Sequence, residues 1–296
     1  MAKIAFRKIR MNKTNKARLA LINGIIEDYQ AQGYVLTLRQ LYYQLVSRDV
    51  IPNQKKEYTR LSLLLKEGRM AGIVDWDAIE DRLRKPSSPP SWDDPEAILD
   101  ACIEQYALPR QNGQDVYLEV WVEKDALSGV LSRVTRRYHV PILVCRGYSS
   151  VSAMFDSYQR FKRAWRNNQQ VKILYIGDFD PSGEDMARDI NDRIMEFADG
   201  DDVDLDFSID KIALTKAQIK KYNPPPNPAK MSDPRAKDFV ALHGYSSWEV
   251  DALKPEVLDA LLDDNIKKHI DLEKYEAILS NEQADKDKLE SLKEYL

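Results

Sequence analysis

The spacing of apolar residues changes partway along the chain. In residues 1–85 they recur at helical intervals. Within 37–48, Leu38, Leu41, Tyr42, Leu45 and Val46 fall at i, i+3, i+4, i+7 and i+8, the buried stripe of a helix. Thr37 and Gln40 form a capping box that sets its start. The same pattern predicts helices over 14–31 and 57–71, the second ended by Gly72. Asp77 with Glu80 predicts a fourth. Short helices with a basic third helix predict a helix-turn-helix or winged-helix-like lobe. After residue 115, continuous apolar runs appear at VYLEVWVE (116–123), VPILVC (140–145) and VKILYIG (171–177). Helical stretches at 125–137, 150–166 and 183–198 follow them, which predicts an α/β, Rossmann-like parallel sheet covered on both faces. Residues 271–296 are charged and helix-prone, with Leu272, Tyr275 and Leu279 on one face, as in a surface or dimer-packing helix.

The segment KPSSPPSWDDP at 85–95 admits neither a helix nor a central strand. It divides the 296 residues into domains 1–85 and 97–296, joined by a linker over 86–96. A second proline-rich break, YNPPPNPAKMSDP at 222–234, reads as a loop within the second domain. The chain is 43% apolar and 31% charged, enough for a core and too mixed for disorder. No run approaches the length of a membrane-spanning helix, and MAKIAFRKIR lacks the apolar centre of a signal peptide. Two cysteines and three histidines without metal-ligand spacing exclude disulfide scaffolds and cysteine-rich zinc sites. Neither a P-loop nor GxGxxG is present. The expected setting is a reducing cytoplasm. The net charge of −4 hides an asymmetry: +8 over residues 1–85 against −12 over the rest. A basic lobe on an acidic one fits a nucleic-acid grip joined to a metal-binding module.

Two clusters carry candidate chemistry. On the helix at 37–48, Tyr42 lies on the apolar stripe, whereas Tyr43 is turned about 100° to its edge. Arg39 and Ser47 share the Tyr43 face. Tyr43 can therefore present its phenol to a phosphate beside a guanidinium, or simply stack on Arg39 half-buried. Arg60, Lys66 and Arg69 on the next helix are candidate DNA contacts. In the second domain Glu123 ends the first strand, and Asp178 and Asp180 follow the third in YIGDFDPSGEDM. Ligands of a parallel sheet bind at the carboxyl ends of its strands, so the three acids meet at one edge. Their mutual repulsion calls for a cation, and an all-oxygen set suits Mg²⁺. Ser182 is a candidate cap for the next helix, and Glu184 a secondary metal or base candidate.

A strand-end Glu followed by Asp-x-Asp resembles the Toprim domain of topoisomerases, primases and certain nucleases. DFDPSG (178–183), RGYSS (146–150) and Arg39-Gln40-Leu41-Tyr42-Tyr43 resemble the topoisomerase VI A subunit and the related meiotic double-strand-break transesterases. The resemblance implies a winged-helix domain preceding Toprim, and a type IIB topoisomerase-like, Mg²⁺-dependent DNA cleavage. Tyr43 would form a 5′-phosphotyrosyl link, with Arg39 on the phosphate and Glu123, Asp178 and Asp180 on the metal. Arg146 and Tyr148 become candidate contacts to the DNA backbone. It further implies a homodimer on double-stranded DNA, the tyrosine of one subunit serving the metal site of the other. The expected location is cytoplasmic, nucleoid-associated or viral, in a bacterial host. The chain is shorter than expected of such a subunit and shows no fused ATPase, so strand passage would need a separate GHKL-type ATPase. Two alternatives stay open: a Toprim nuclease using water, with Tyr43 structural, and a non-catalytic DNA-binding protein.

Overall fold

The computed structural model describes residues 3–79 and 89–295. Three helices open the chain: α1 (Lys13–Ala31), α2 (Leu38–Ser47) and α3 (Lys55–Met70). The capping box at Thr37 and Gln40 forms as expected, and Gly72 leaves α3 with a positive φ. The fourth helix expected from Asp77 does not open there. Asp75 accepts the Asp77 N–H and caps a single turn, Trp76–Ala78. The chain then extends, and Ile79 bridges Leu36. Residues 80–88, which include Glu80 and the start of the linker, lie outside the described residues.

Next come α4 (Pro95–Gln105), β1 (Val116–Val122), α5 (Ser128–Tyr138), β2 (Ile142–Val144), α6 (Val151–Arg166), β3 (Gln170–Ile176), α7 (Pro181–Gly200) and β4 (Phe207–Ala213), followed by the short helices α8 (Lys216–Tyr222) and α9 (Ala236–His243). The four strands form one parallel sheet in the order β2-β1-β3-β4. Side-chain alternation gives it two faces. Leu118, Val120, Val122, Leu174 and Ile176 pack toward α5 and α10 (Pro255–Lys267). Trp121, Val171, Ile173 and Tyr175 pack toward α6 and α7. The fold is α/β and Rossmann-like, as the strand–helix alternation predicts. The apolar core of the N-terminal helices, including Leu19, Ile22, Leu41 and Leu61, is continuous with the α5–α10 layer.

The proline-rich break at 222–234 is mostly irregular. A last helix, α11 (Leu272–Ser291), folds back on its own chain. Tyr275 is buried and its hydroxyl donates to the Arg137 carbonyl, Leu279 joins the core, and Leu272 faces solvent. Among the described residues no helix is long and apolar enough to cross a membrane.

Candidate active site

The parallel sheet gathers the predicted acids at one edge. Glu123 continues β1 by one residue: its N–H donates to Ile176 and its carbonyl accepts from Arg146. Its Oε2 accepts the backbone N–H of Asp178 at 2.9 Å. Asp178 follows β3 after Gly177. Its Oδ1 accepts the Val250 N–H at 2.9 Å, and its Oδ2 meets Lys124 Nζ at 2.7 Å. Asp180 itself, rather than Ser182, caps α7. Its backbone is extended ahead of Pro181, and its Oδ1 accepts the Gly183 N–H and the Ser182 hydroxyl at 2.7 and 2.8 Å. A Cβ on residue 183 would collide with the Asp178 carbonyl, so glycine is required for that approach. Glu184 is turned to Lys211 Nζ at 2.5 Å, which also holds the Asp178 carbonyl at 2.7 Å.

Two further acids, absent from the sequence reading, complete the cluster. Phe179 and Trp248 exchange backbone hydrogen bonds, which pins the segment after Trp248 to the loop after β3. Glu249 and the fully buried Asp251 are thereby set against Lys124, whose Nζ lies 2.9 and 3.1 Å from them. A single ammonium thus serves three carboxylates. Arg39 arrives from α2 and pairs with the same two acids, Nε at 2.5 Å from Asp251 and Nη2 on Glu249. Helix α2 packs directly on the turn Val250–Ala252. Nothing in the linear order of residues requires α2 and the strand-end acids to meet within one chain. In the structure Arg39 and Lys124 bind them to a common pair of acids.

Tyr43 differs from its expected placement. Both tyrosines are buried, Tyr42 at 5% and Tyr43 at 4% exposure. The helix edge that carries Tyr43 is covered by the segment around Val250–Ala252. Arg39 lies 5.8 Å from the centre of its ring. Tyr42 donates its hydroxyl to Asn53 Oδ1 at 2.9 Å. Burial, then the Asp251 charge, push the Tyr43 phenol well above its ordinary pKa, while Arg39 and the Asn227 side chain oppose that rise. Burial and the facing Asp178 charge raise Glu123. Burial raises Asp178, with Lys124 opposing. Each shift disfavours an added negative charge where negative charge is already crowded.

The other candidate contacts are scattered. Arg60 pairs with the buried Glu57, and Arg69 donates to the Ile79 carbonyl. Lys66 is exposed. Arg146, at positive φ, reaches Asp125 at 3.3 Å. Tyr148 donates to Asp185, with Arg235 over its ring. Among the described residues no three His, Cys, Asp or Glu side chains stand in a geometry that holds a metal ion. Lys124 Nζ lies among the acids in that arrangement. No protein-family model, curated protein or solved structure matches this chain.

Proposed function

We propose that this chain cleaves duplex DNA by tyrosine transesterification, as its resemblance to the topoisomerase VI A family implies. The observation that carries the reading is the convergence, within one chain, of Arg39 and Tyr43 on the acids at the carboxyl edge of the sheet. The N-terminal helices would act as a winged-helix-like DNA grip. The Tyr43 oxygen attacks a backbone phosphorus and loses its proton. The bond from phosphorus to the 3′ oxygen breaks, and that oxygen leaves as a 3′-hydroxyl after gaining a proton. A 5′-phosphotyrosyl link remains. Arg39 exchanges a carboxylate for the phosphate and favours the phenolate.

The oxygen donors are of the type Mg²⁺ takes, although Lys124 stands among the acids and, among the described residues, no three of them are posed around one ion. Glu123 Oε1 and Asp180 Oδ2 accept no hydrogen bond among the described residues, and the raised pKa of Glu123 marks a buried carboxylate lacking sufficient positive charge. Glu123, Asp178 and Asp180 would hold the ion, which when bound offsets charge on the phosphate and the leaving oxygen. Glu184 remains a secondary candidate. Two strands need two cuts, and a two-fold homodimer supplies two sites related as the strands are. Strand passage would require a separate GHKL-type ATPase.

One observation favours a second reading. A buried phenol with a raised pKa is a poor nucleophile, which fits a nuclease that activates water. A denaturing gel separates the readings. Protein covalently joined to DNA supports transesterification, free nicked DNA supports the nuclease, and intact DNA in the presence of Mg²⁺ refutes both.

A further inference from the structure

A cavity of about 250 Å³ opens at the amino edge of the parallel sheet, the end away from the acids. Tyr117 near the start of β1, Pro141 just before β2 and Gln169 just before β3 mark its place. Its charged lining is all basic: Arg110, His139, Arg160 and Arg163, with no Asp or Glu among the described residues that line it. The fully buried Glu119 takes Arg160 Nε and Nη2 at 2.6 and 3.0 Å, and Glu282 takes Arg110 Nη2 at 3.0 Å. Both carboxylates stand outside the lining. They answer two of the charges and hold those guanidiniums in place. Arg163 is exposed, and its side chain has no ion pair or hydrogen bond among the described residues. The side-chain amides of Asn112 and Asn167 line the same cavity and are likewise unpaired among the described residues. Burial, then the Arg110 charge, hold His139 below its ordinary pKa, and Arg110 acts on the ring more strongly than Glu282 opposes it.

We propose that this cavity binds a small tetrahedral oxyanion, inorganic phosphate or a small phosphomonoester, at the edge of the sheet opposite the acids. Guanidinium forks match phosphate oxygens, and here they are held ready by carboxylates that do not reach the cavity. The donors come from three segments: the loop before β1, the residue after α5 and the last turns of α6. A tetrahedral anion offers oxygens to all three, whereas a flat carboxylate offers only two. The volume falls just below the usual range for drug-sized ligands, so the occupant is small. Basic residues at a helix C-terminus can serve only to offset the helix dipole. Arg166, in the same last turn as Arg163 but off the lining, is the control for that role.

Calorimetric titration of the full chain with inorganic phosphate at constant ionic strength, without Mg²⁺ or DNA, tests it. One phosphate should bind per chain with a Kd of about 1 mM or tighter. Arg163→Gln removes one charged donor and should weaken binding about tenfold. Arg166→Gln should leave it unchanged, and acetate should bind at least about tenfold more weakly than phosphate. Both arginines are exposed, so neither variant endangers the fold. Absence of saturable binding, equal weakening by the two variants, or acetate binding as tight as phosphate overturns the site. If phosphate fails to bind while Arg163→Gln alone weakens binding of a labelled duplex, the cavity touches a polymer backbone and the small-molecule assignment falls. The titration needs no cleavage, so its outcome is separate from that of the DNA-cleaving reading.

Discussion

Lys124→Met deletes the ammonium that serves Asp178, Glu249 and Asp251 at 2.7, 2.9 and 3.1 Å while keeping the bulk of the stem. Arg39 still answers Glu249 and Asp251, so the unmatched charge is left chiefly on Asp178, which is buried. Removing one partner of a buried ion pair costs about 3–5 kcal/mol. The surviving Arg39 pairs argue for the lower end, about 3 kcal/mol. For a chain of this size that is a fall of roughly 6 °C or more in melting temperature. The pH dependence has a definite sign. A carboxyl whose folded pKa is raised is tolerated while protonated, and stability is lost as pH climbs from the ordinary carboxylate range through the raised value. Without Lys124 that penalty grows, so the deficit should be larger at pH 7 than at pH 5. Mg²⁺ in place of the lost ammonium should recover part of it at pH 7. Melting followed by circular dichroism at both pH values, with and without millimolar Mg²⁺, measures all three effects. A loss under about 1 kcal/mol, equal at the two pH values and indifferent to Mg²⁺, would refute the account of the cluster.

Other outcomes follow from the same geometry. Glu123→Gln keeps the acceptor for the Asp178 N–H but removes a carboxylate whose pKa is raised. The variant should melt above the natural chain at pH 7 without Mg²⁺, and the gap should close as pH falls toward about 4.3. Gly183→Ala drives a methyl group into the Asp178 carbonyl and should cost about 1–3 kcal/mol in chemical denaturation, with Mg²⁺-dependent cleavage lost as Asp178 shifts. Subunit mixing locates the site. Because Arg39, Tyr43 and the acids converge within one chain, inactive Tyr43→Phe and Asp178→Ala chains allowed to exchange should recover no covalent link, and one link per mixed dimer would show instead that subunits share sites.

Much of this arrangement was legible in the sequence because it is set locally. The capping box at Thr37 and Gln40 fixes α2, and strand ends in a parallel sheet fix where Glu123, Asp178 and Asp180 meet. What the sequence concealed depends on contacts between distant segments. Glu249 and Asp251 alternate with Val250 and Ala252 after a proline-rich loop, a pattern that reads as an ordinary exposed edge. Only the Phe179–Trp248 bridge returns them to the sheet. Lys124 did carry a signal, a cation directly after a strand-end Glu. The apolar stripe of α2 puts Tyr43 at its edge, but helical phase says nothing of what a distant segment lays over that edge, and the structure buries Tyr43 as deeply as Tyr42. At Asp77 the local rule misplaced the helix start because Asp75, two residues earlier, took the capping role.

The central claim, that Tyr43 attacks DNA beside a Mg²⁺-holding edge, is tested most directly by trapping the reaction on end-labelled duplex DNA. The natural chain and its Tyr42→Phe and Tyr43→Phe variants are each incubated with Mg²⁺, denatured and resolved by mass. The account predicts a protein–DNA adduct, sensitive to protease, for the natural chain and for Tyr42→Phe, and none for Tyr43→Phe or when Mg²⁺ is chelated. Undiminished adduct from Tyr43→Phe, or cleavage by the natural chain that leaves only protein-free ends, would contradict it.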